Sequence, residues 1–333
     1  MGEGGGVVSA ILLGAALLIG GLLAVQAAAN LQLTKAVGSP YGGATVQLWV
    51  AAGLLVALTV AVGASGALVR LGDVPGWYLL GGLASPLYIT SGILLFPRLG
   101  ALAAGGLFVT GQMLASVALD LTGGIGVPLR PVGVGVVVGS AAVLAGMLLV
   151  VRGARIPRAA ASSVRSRGLT PSTVDRGPTP DHRPAAGWLL LGLAAGAALP
   201  VQGAVNARLR AATDEPIAVA LVSFLVAAVT ISVVLVALVA LDRTPPPRRP
   251  TAAMPWWGWI GGLCAAGYVT GTFLLIPLIG AAVAVALTVT GQQVVAAVLD
   301  ARGWLLMPRR PMTAVRWGGL LLLVAGSLLV QLR

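Results

Sequence analysis

The sequence predicts an all-α membrane protein of ten transmembrane helices, arranged as two five-helix inverted repeats. Three observations carry that prediction. Hydrophobic residues make up 58% of the 333-residue chain and charged residues 9%, with a mean hydropathy of +0.98, whereas soluble domains carry about 25% charged residues. The apolar residues gather into ten long segments. A short polar pattern occurs twice: Val25-Gln26-Ala27-Ala28-Ala29-Asn30 returns as Val201-Gln202-Gly203-Ala204-Val205-Asn206, and Thr110-Gly111-Gln112 returns as Thr290-Gly291-Gln292. Five spans per copy is an odd number, so the second copy enters the membrane upside down relative to the first.

The segments run over 7–29, 44–69, 77–96, 101–119 and 132–151, then over 187–205, 217–241, 256–276, 281–299 and 315–332. Each approaches the roughly 20 apolar residues that cross about 30 Å of hydrocarbon. They lack the alternation of barrel strands, and helices are the other structure that satisfies its backbone in lipid. Prolines punctuate both copies at matching places: Pro40 and Pro216, Pro97 and Pro277, Pro131 and Pro311. Early matches (Gln26 to Gln202, Asn30 to Asn206) share one offset. Later ones (Gly81-Gly82 to Gly261-Gly262, Tyr88 to Tyr268, Asp120 to Asp300) share an offset four residues larger. A loop insertion over 243–250 accounts for the difference.

Residues 1–151 form the first repeat, 152–186 an Arg-rich linker and 187–333 the second repeat. His182, the single histidine, falls in the linker. Of the 21 lysines and arginines, sixteen fall on the linker side of the membrane, and Arg70, Arg130, Arg208, Arg210 and Arg333 on the other. The positive-inside rule therefore predicts a cytoplasmic linker with both termini outside, in a multi-pass inner-membrane protein. The same placement of arginine between apolar runs excludes nucleic acid as a partner, despite a net charge of +12.

Candidate binding residues are polar groups at depth. Thr110 and Gln112 lie near the centre of span 4, and Thr290, Gln292 and Gln293 near the centre of span 9. An unpaired amide in hydrocarbon costs several kcal/mol, so these groups meet one another, water or a substrate. Tyr88 and Tyr268 add a flat face and a hydroxyl in spans 3 and 8. Gln26 with Asn30, and Gln202 with Asn206, each share a helical face at the end of spans 1 and 6. They suit a vestibule lining, a helix cap or a contact between repeats. Asp120 and Asp300 close spans 4 and 9 and read as solvated anchors. Arg98 and Arg316 read as interfacial.

One cysteine, Cys264, excludes an internal disulfide. No metal spacing, phosphate loop or nucleophile elbow occurs, so neither an enzyme nor a cofactor is expected. The expected partners are a small-molecule substrate and the lipid bilayer, with a homodimer left open.

Two five-span units, each with Gln-x-x-x-Asn late in its first span and then Ser39-Pro40 or Glu215-Pro216, resemble the drug/metabolite transporter superfamily, in an EamA-related branch of unassigned function. The resemblance implies a cavity between the halves and alternating access. The small multidrug resistance relatives use an acid in span 1, which this chain lacks. Ten-span members usually keep both termini in the cytoplasm, opposite to the arginine count here. The expected function is a secondary transporter of a small uncharged or zwitterionic metabolite. A non-transporting scaffold or accessory subunit, or a lipid-carrier flippase, is the alternative.

Overall fold

The computed structural model describes residues 3–127, 129, 133–153, 186–249, 254–279 and 281–331. The linker, with His182, lies almost wholly outside them, as do Arg130, Pro131 and Arg333.

Every regular element among the described residues is helical. The α-helices are α1 (Glu3–Val37), α2 (Pro40–Ala61), α3 (Ala84–Leu99), α4 (Ala101–Thr122), α5 (Val134–Gly153), α6 (Ala186–Thr213), α7 (Pro216–Ala240), α8 (Ile260–Ile279), α9 (Ala281–Arg302) and α10 (Ala314–Gln331). Short 3-10 stretches lead into α3 (Gly76–Leu83) and α8 (Trp256–Trp259). Among the described residues, eight helical stretches are long and apolar enough to cross a membrane, and the shorter Ala314–Val330 is apolar too. The structure thus supports a multi-pass helical membrane protein.

Matching helix starts use matching chemistry. Ser39 Oγ accepts from Gly42 N at 2.9 Å, with Pro40 opening α2. Glu215 accepts from Ile217 N at 3.4 Å, with Pro216 opening α7. Proline is tolerated there because the first helical N–H has no intrahelical partner.

The halves are exchanged and inverted. α1 packs on α8 and α9 of the second repeat, while α6 packs on α3 and α4 of the first. Close approaches give the directions. A methyl on Gly291 of α9 would collide with the Leu17 carbonyl of α1, and one on Gly111 of α4 with the Leu193 carbonyl of α6. These two contacts are the same contact, made once in each half. Gly21 meets Val295 four residues further along both chains, so α1 and α9 run parallel. α5 and α10 cross through glycines, Gly139 against Gly326 and Gly146 against Gly319, each a close backbone contact of the kind small residues permit. As one number rises the other falls, so α5 and α10 are antiparallel, as an inverted repeat requires.

The first amide pair does not end its helix. α1 continues from Asn30 to Val37, and α6 from Asn206 to Thr213. Neither pair caps a helix, and both are held mid-bundle by helix–helix packing.

Candidate functional site

The centre of the bundle holds a contact between the repeats. Gln292 of α9 donates through Nε2 to Tyr88 Oη of α3 at 3.1 Å. Tyr88 tilts against Phe108 of α4, with ring centroids 4.7 Å apart. Tyr268 is half-buried on α8. Beside them is a cavity of about 10 Å³, room for about one water molecule. Gln26, Asn30, Tyr88, Phe96 and Phe108 line it. Gln112 is half-buried on α4 and makes no side-chain hydrogen bond among the described residues. Thr110 and Thr290 are satisfied within their own helices, donating to the Gly106 and Ala286 carbonyls at 2.8 Å each. Gln293 is fully buried with both amide ends unpartnered and lies against Gly105.

The two Gln-x-x-x-Asn pairs are placed alike and bonded differently. Gln202 Nε2 donates to Ser85 Oγ at 3.0 Å and lies 3.3 Å from Ser223 Oγ. Asn206 Nδ2 donates to Ser223 Oγ at 3.2 Å. Ser85 belongs to the first repeat, so this pair knits the halves together. In the first repeat, Gln26 Oε1 and Asn30 Oδ1 are buried with no hydrogen-bond partner, and both residues face the cavity. The sequence offsets name the reason. Ser223 corresponds to Gln47, whose own amide is unpartnered, and Ser85 corresponds to Ala265, which has no hydroxyl. One close approach survives in both halves: a methyl on Gly81 would collide with Asn206 Oδ1, and one on Gly261 with Asn30 Oδ1.

A second polar cluster closes the linker end of the bundle and corrects two expectations. Asp300 is not a solvated anchor and Arg316 is not interfacial: they are 0% and 1% exposed and form an ion pair. Asp300 also accepts from Ala101 N at 2.7 Å and Leu102 N at 3.3 Å, which caps the start of α4. A carboxylate suits the positive end of a helix. Arg316 Nη1 donates to the Arg310 and Pro311 carbonyls at 3.0 and 3.2 Å. Arg310 reaches the Pro97 and Arg98 carbonyls. Arg316 is thereby committed to holding α9, α10 and α4 together, and is unavailable to a lipid phosphate. Its counterpart by offset is Val136, so the duplicated pattern that exposed the other site residues is silent about this one. The signal that could have found it is a carboxylate and an arginine, Asp300 and Arg316, flanking one short connection between two apolar segments.

A two-repeat bundle of apolar helices, inverted about a polar centre, is an architecture that recurs among secondary transporters. A family model described as "Putative inner membrane exporter, YdcZ", of the drug/metabolite transporter type, matches residues 11–149 and again 187–329, and the chain belongs to that family. The match bears out the resemblance to the drug/metabolite transporter superfamily and falls on the two repeats separately. No curated protein matches the chain. A solved structure described as "Crystal structure of protein" is similar over 95% of this chain and 96% of that one, with a TM-score of 0.54 and 19% identity. At that identity the likeness speaks for the fold.

Proposed function

We propose that the chain is a secondary transporter that moves a small uncharged or zwitterionic metabolite across the inner membrane by alternating access. One observation carries the reading: the buried Gln292–Tyr88 hydrogen bond joins the two repeats beside a cavity at the middle of the bundle. Alternating access rocks one repeat against the other around a fixed site. A single neutral hydrogen bond between them is a joint that can break and reform. Gln112 and Tyr268, the matching pair, are the partners for the opposite-facing state. Gln26 and Asn30 line the cavity beside this joint, and Gln202, Asn206, Thr110, Thr290 and Gln293 complete the proposed site. Export is the direction the family description favours.

The linker end is proposed to face the cytoplasm. Lys35, Arg98, Arg248, Arg310 and Arg316 gather there, while Arg208 reaches the Ile125 carbonyl at the other end. A reporter active only in the cytoplasm, fused after Arg333, is expected to be silent.

A scaffold or accessory subunit is favoured by one observation, the small size of the cavity. Ligand screening by thermal stability of the purified protein separates the two readings. Amino acids, nucleosides, sugars, polyamines and cationic drugs form the panel. A ligand at about 100 times its dissociation constant stabilises by roughly 2.7 kcal/mol. A hit that disappears in the Tyr88→Phe, Gln292→Leu double variant supports the transporter. Silence across the panel from folded protein supports the scaffold.

A further inference from the structure

We infer that the amide pair of the first repeat, Gln26 and Asn30, is a recognition site for a small neutral planar molecule that carries an N–H donor beside a carbonyl acceptor, such as a primary amide, a urea or an uncharged nucleobase. This deepens the transporter reading and rests on it for the ligand's route, but not for its binding.

The argument starts from hydrogen-bond accounting. A side-chain amide offers two donors and a carbonyl acceptor. Leaving such a group buried and unpaired is disfavoured, and native interiors carry few of them. Gln26 and Asn30 are 5% and 1% exposed, their carbonyl oxygens have no partner, and both line the one-water cavity. The chain contains an internal control. At the matching place in the second repeat, Gln202 and Asn206 have their partners in Ser85 and Ser223. The first repeat has Ala265 and Gln47 at those two positions, and the amides there stay unfulfilled. One pair serves structure, and the other is left with hydrogen-bonding capacity directed at a cavity.

The walls restrict what can satisfy it. Tyr88, Phe96 and Phe108 supply aromatic surface, which favours a flat ligand. No charged side chain lines the cavity among the described residues. An ionised ligand would be desolvated there without a counter-charge, whereas a neutral amide finds both an acceptor and a donor. As it stands the cavity admits about one water, so a ring-sized ligand needs the helices around it to part, and the walls then select neutral, planar and bifunctional. Asn30 and Gln47 also stand together against Gly261, where a methyl would collide with Asn30 Oδ1, so the backbone approach that brings α8 to the site depends on glycine.

The test is calorimetric titration of the full chain in lipid nanodiscs with acetamide, urea, nicotinamide and uracil, and with nicotinate and 3-methylpyridine as controls. Nicotinate has the ring with a carboxylate, and 3-methylpyridine has it with no hydrogen-bonding substituent. At least one neutral amide is expected to bind, with the two controls about tenfold weaker or more, the effect of one buried hydrogen bond. Gln26→Leu and Asn30→Leu should each weaken that binding about tenfold, whereas Ser232→Ala, at the exposed bond from Trp49, should not. Ala265→Ser, which gives Gln26 an internal partner, should weaken it too, and it keeps the question answerable if a leucine variant fails to fold. No binding by any of the four neutral compounds to folded protein, or equal binding of nicotinate, overturns the inference. Binding without counterflow in proteoliposomes leaves this site standing and overturns the transport reading. Counterflow of a zwitterionic solute that depends on Tyr88 but not on Gln26 or Asn30 does the reverse.

Discussion

The two halves of this chain are built on one plan and finished differently. In the first repeat, Gln26 and Asn30 face a cavity with unfulfilled carbonyl oxygens, and the buried Gln47 amide has no partner either. In the second, Gln202 and Asn206 are tied to Ser85 and Ser223. The helix directions, the glycine approaches and the caps are repeated faithfully, so the difference is one of side chains, Ser against Ala265 and Ser against Gln47. A duplicated membrane protein needs its scaffold twice. It needs its ligand chemistry once, and the second copy of the same polar pair is free to become a clasp.

The comparison is broken most severely where the halves differ in charge. Arg316→Leu leaves Asp300 buried and unpaired at the start of α4, and is expected to lower unfolding stability in mixed micelles by about 3–5 kcal/mol. Adding Asp300→Leu should restore part of that loss, because two apolar side chains are better tolerated than one orphaned carboxylate, while the cap on Ala101 and Leu102 stays lost. A single variant of unchanged stability would mean that water reaches the pair. Next in size, Ser85→Ala with Ser223→Ala removes the hydroxyls from the clasp and should cost roughly 1–3 kcal/mol, read in the same unfolding experiment. Gln47→Met, at the position matching Ser223, removes an amide bonded to nothing. Its stability should be unchanged or higher, and a loss as large as that of the clasp variant would show that Gln47 has a partner in the membrane. The last variant is a repair. Ala265→Ser is expected to raise stability by about 0.6 kcal/mol, the typical worth of a hydrogen bond between membrane helices.

The multi-pass helical plan with its two repeats was legible because apolar length and repeated proline need no knowledge of packing. Tyr88 and Gln292 were legible because they recur at depth, and the structure joins them in one bond. The sequence pattern could not distinguish Gln26 from Gln202. They are identical in type and spacing, and their difference lies in Ser85 and Ser223, which only the packing of α6 on α3 and α7 brings near. The helix ends were misplaced for a related reason: α1 and α6 carry polar residues for two turns beyond the amide pair, and packing rather than hydropathy keeps them helical. Asp300 and Arg316 escaped because ionisable residues near a span end read as solvated, and their burial depends on the connection between α9 and α10 folding back over α4.

The antiparallel crossing of α5 and α10 has an ancestral meaning. Gly139 meets Gly326 and Gly146 meets Gly319, and by the repeat offset Gly326 is the counterpart of Gly146 and Gly319 that of Gly139. The seam is therefore isologous: each side presents the same patch, as in a two-fold homodimer. A lone five-helix unit carrying that patch would match a second copy of itself inserted the opposite way up. Fusion through the linker makes that encounter intramolecular. It also frees each unit from having to insert in both orientations, and lets the two copies of every residue diverge.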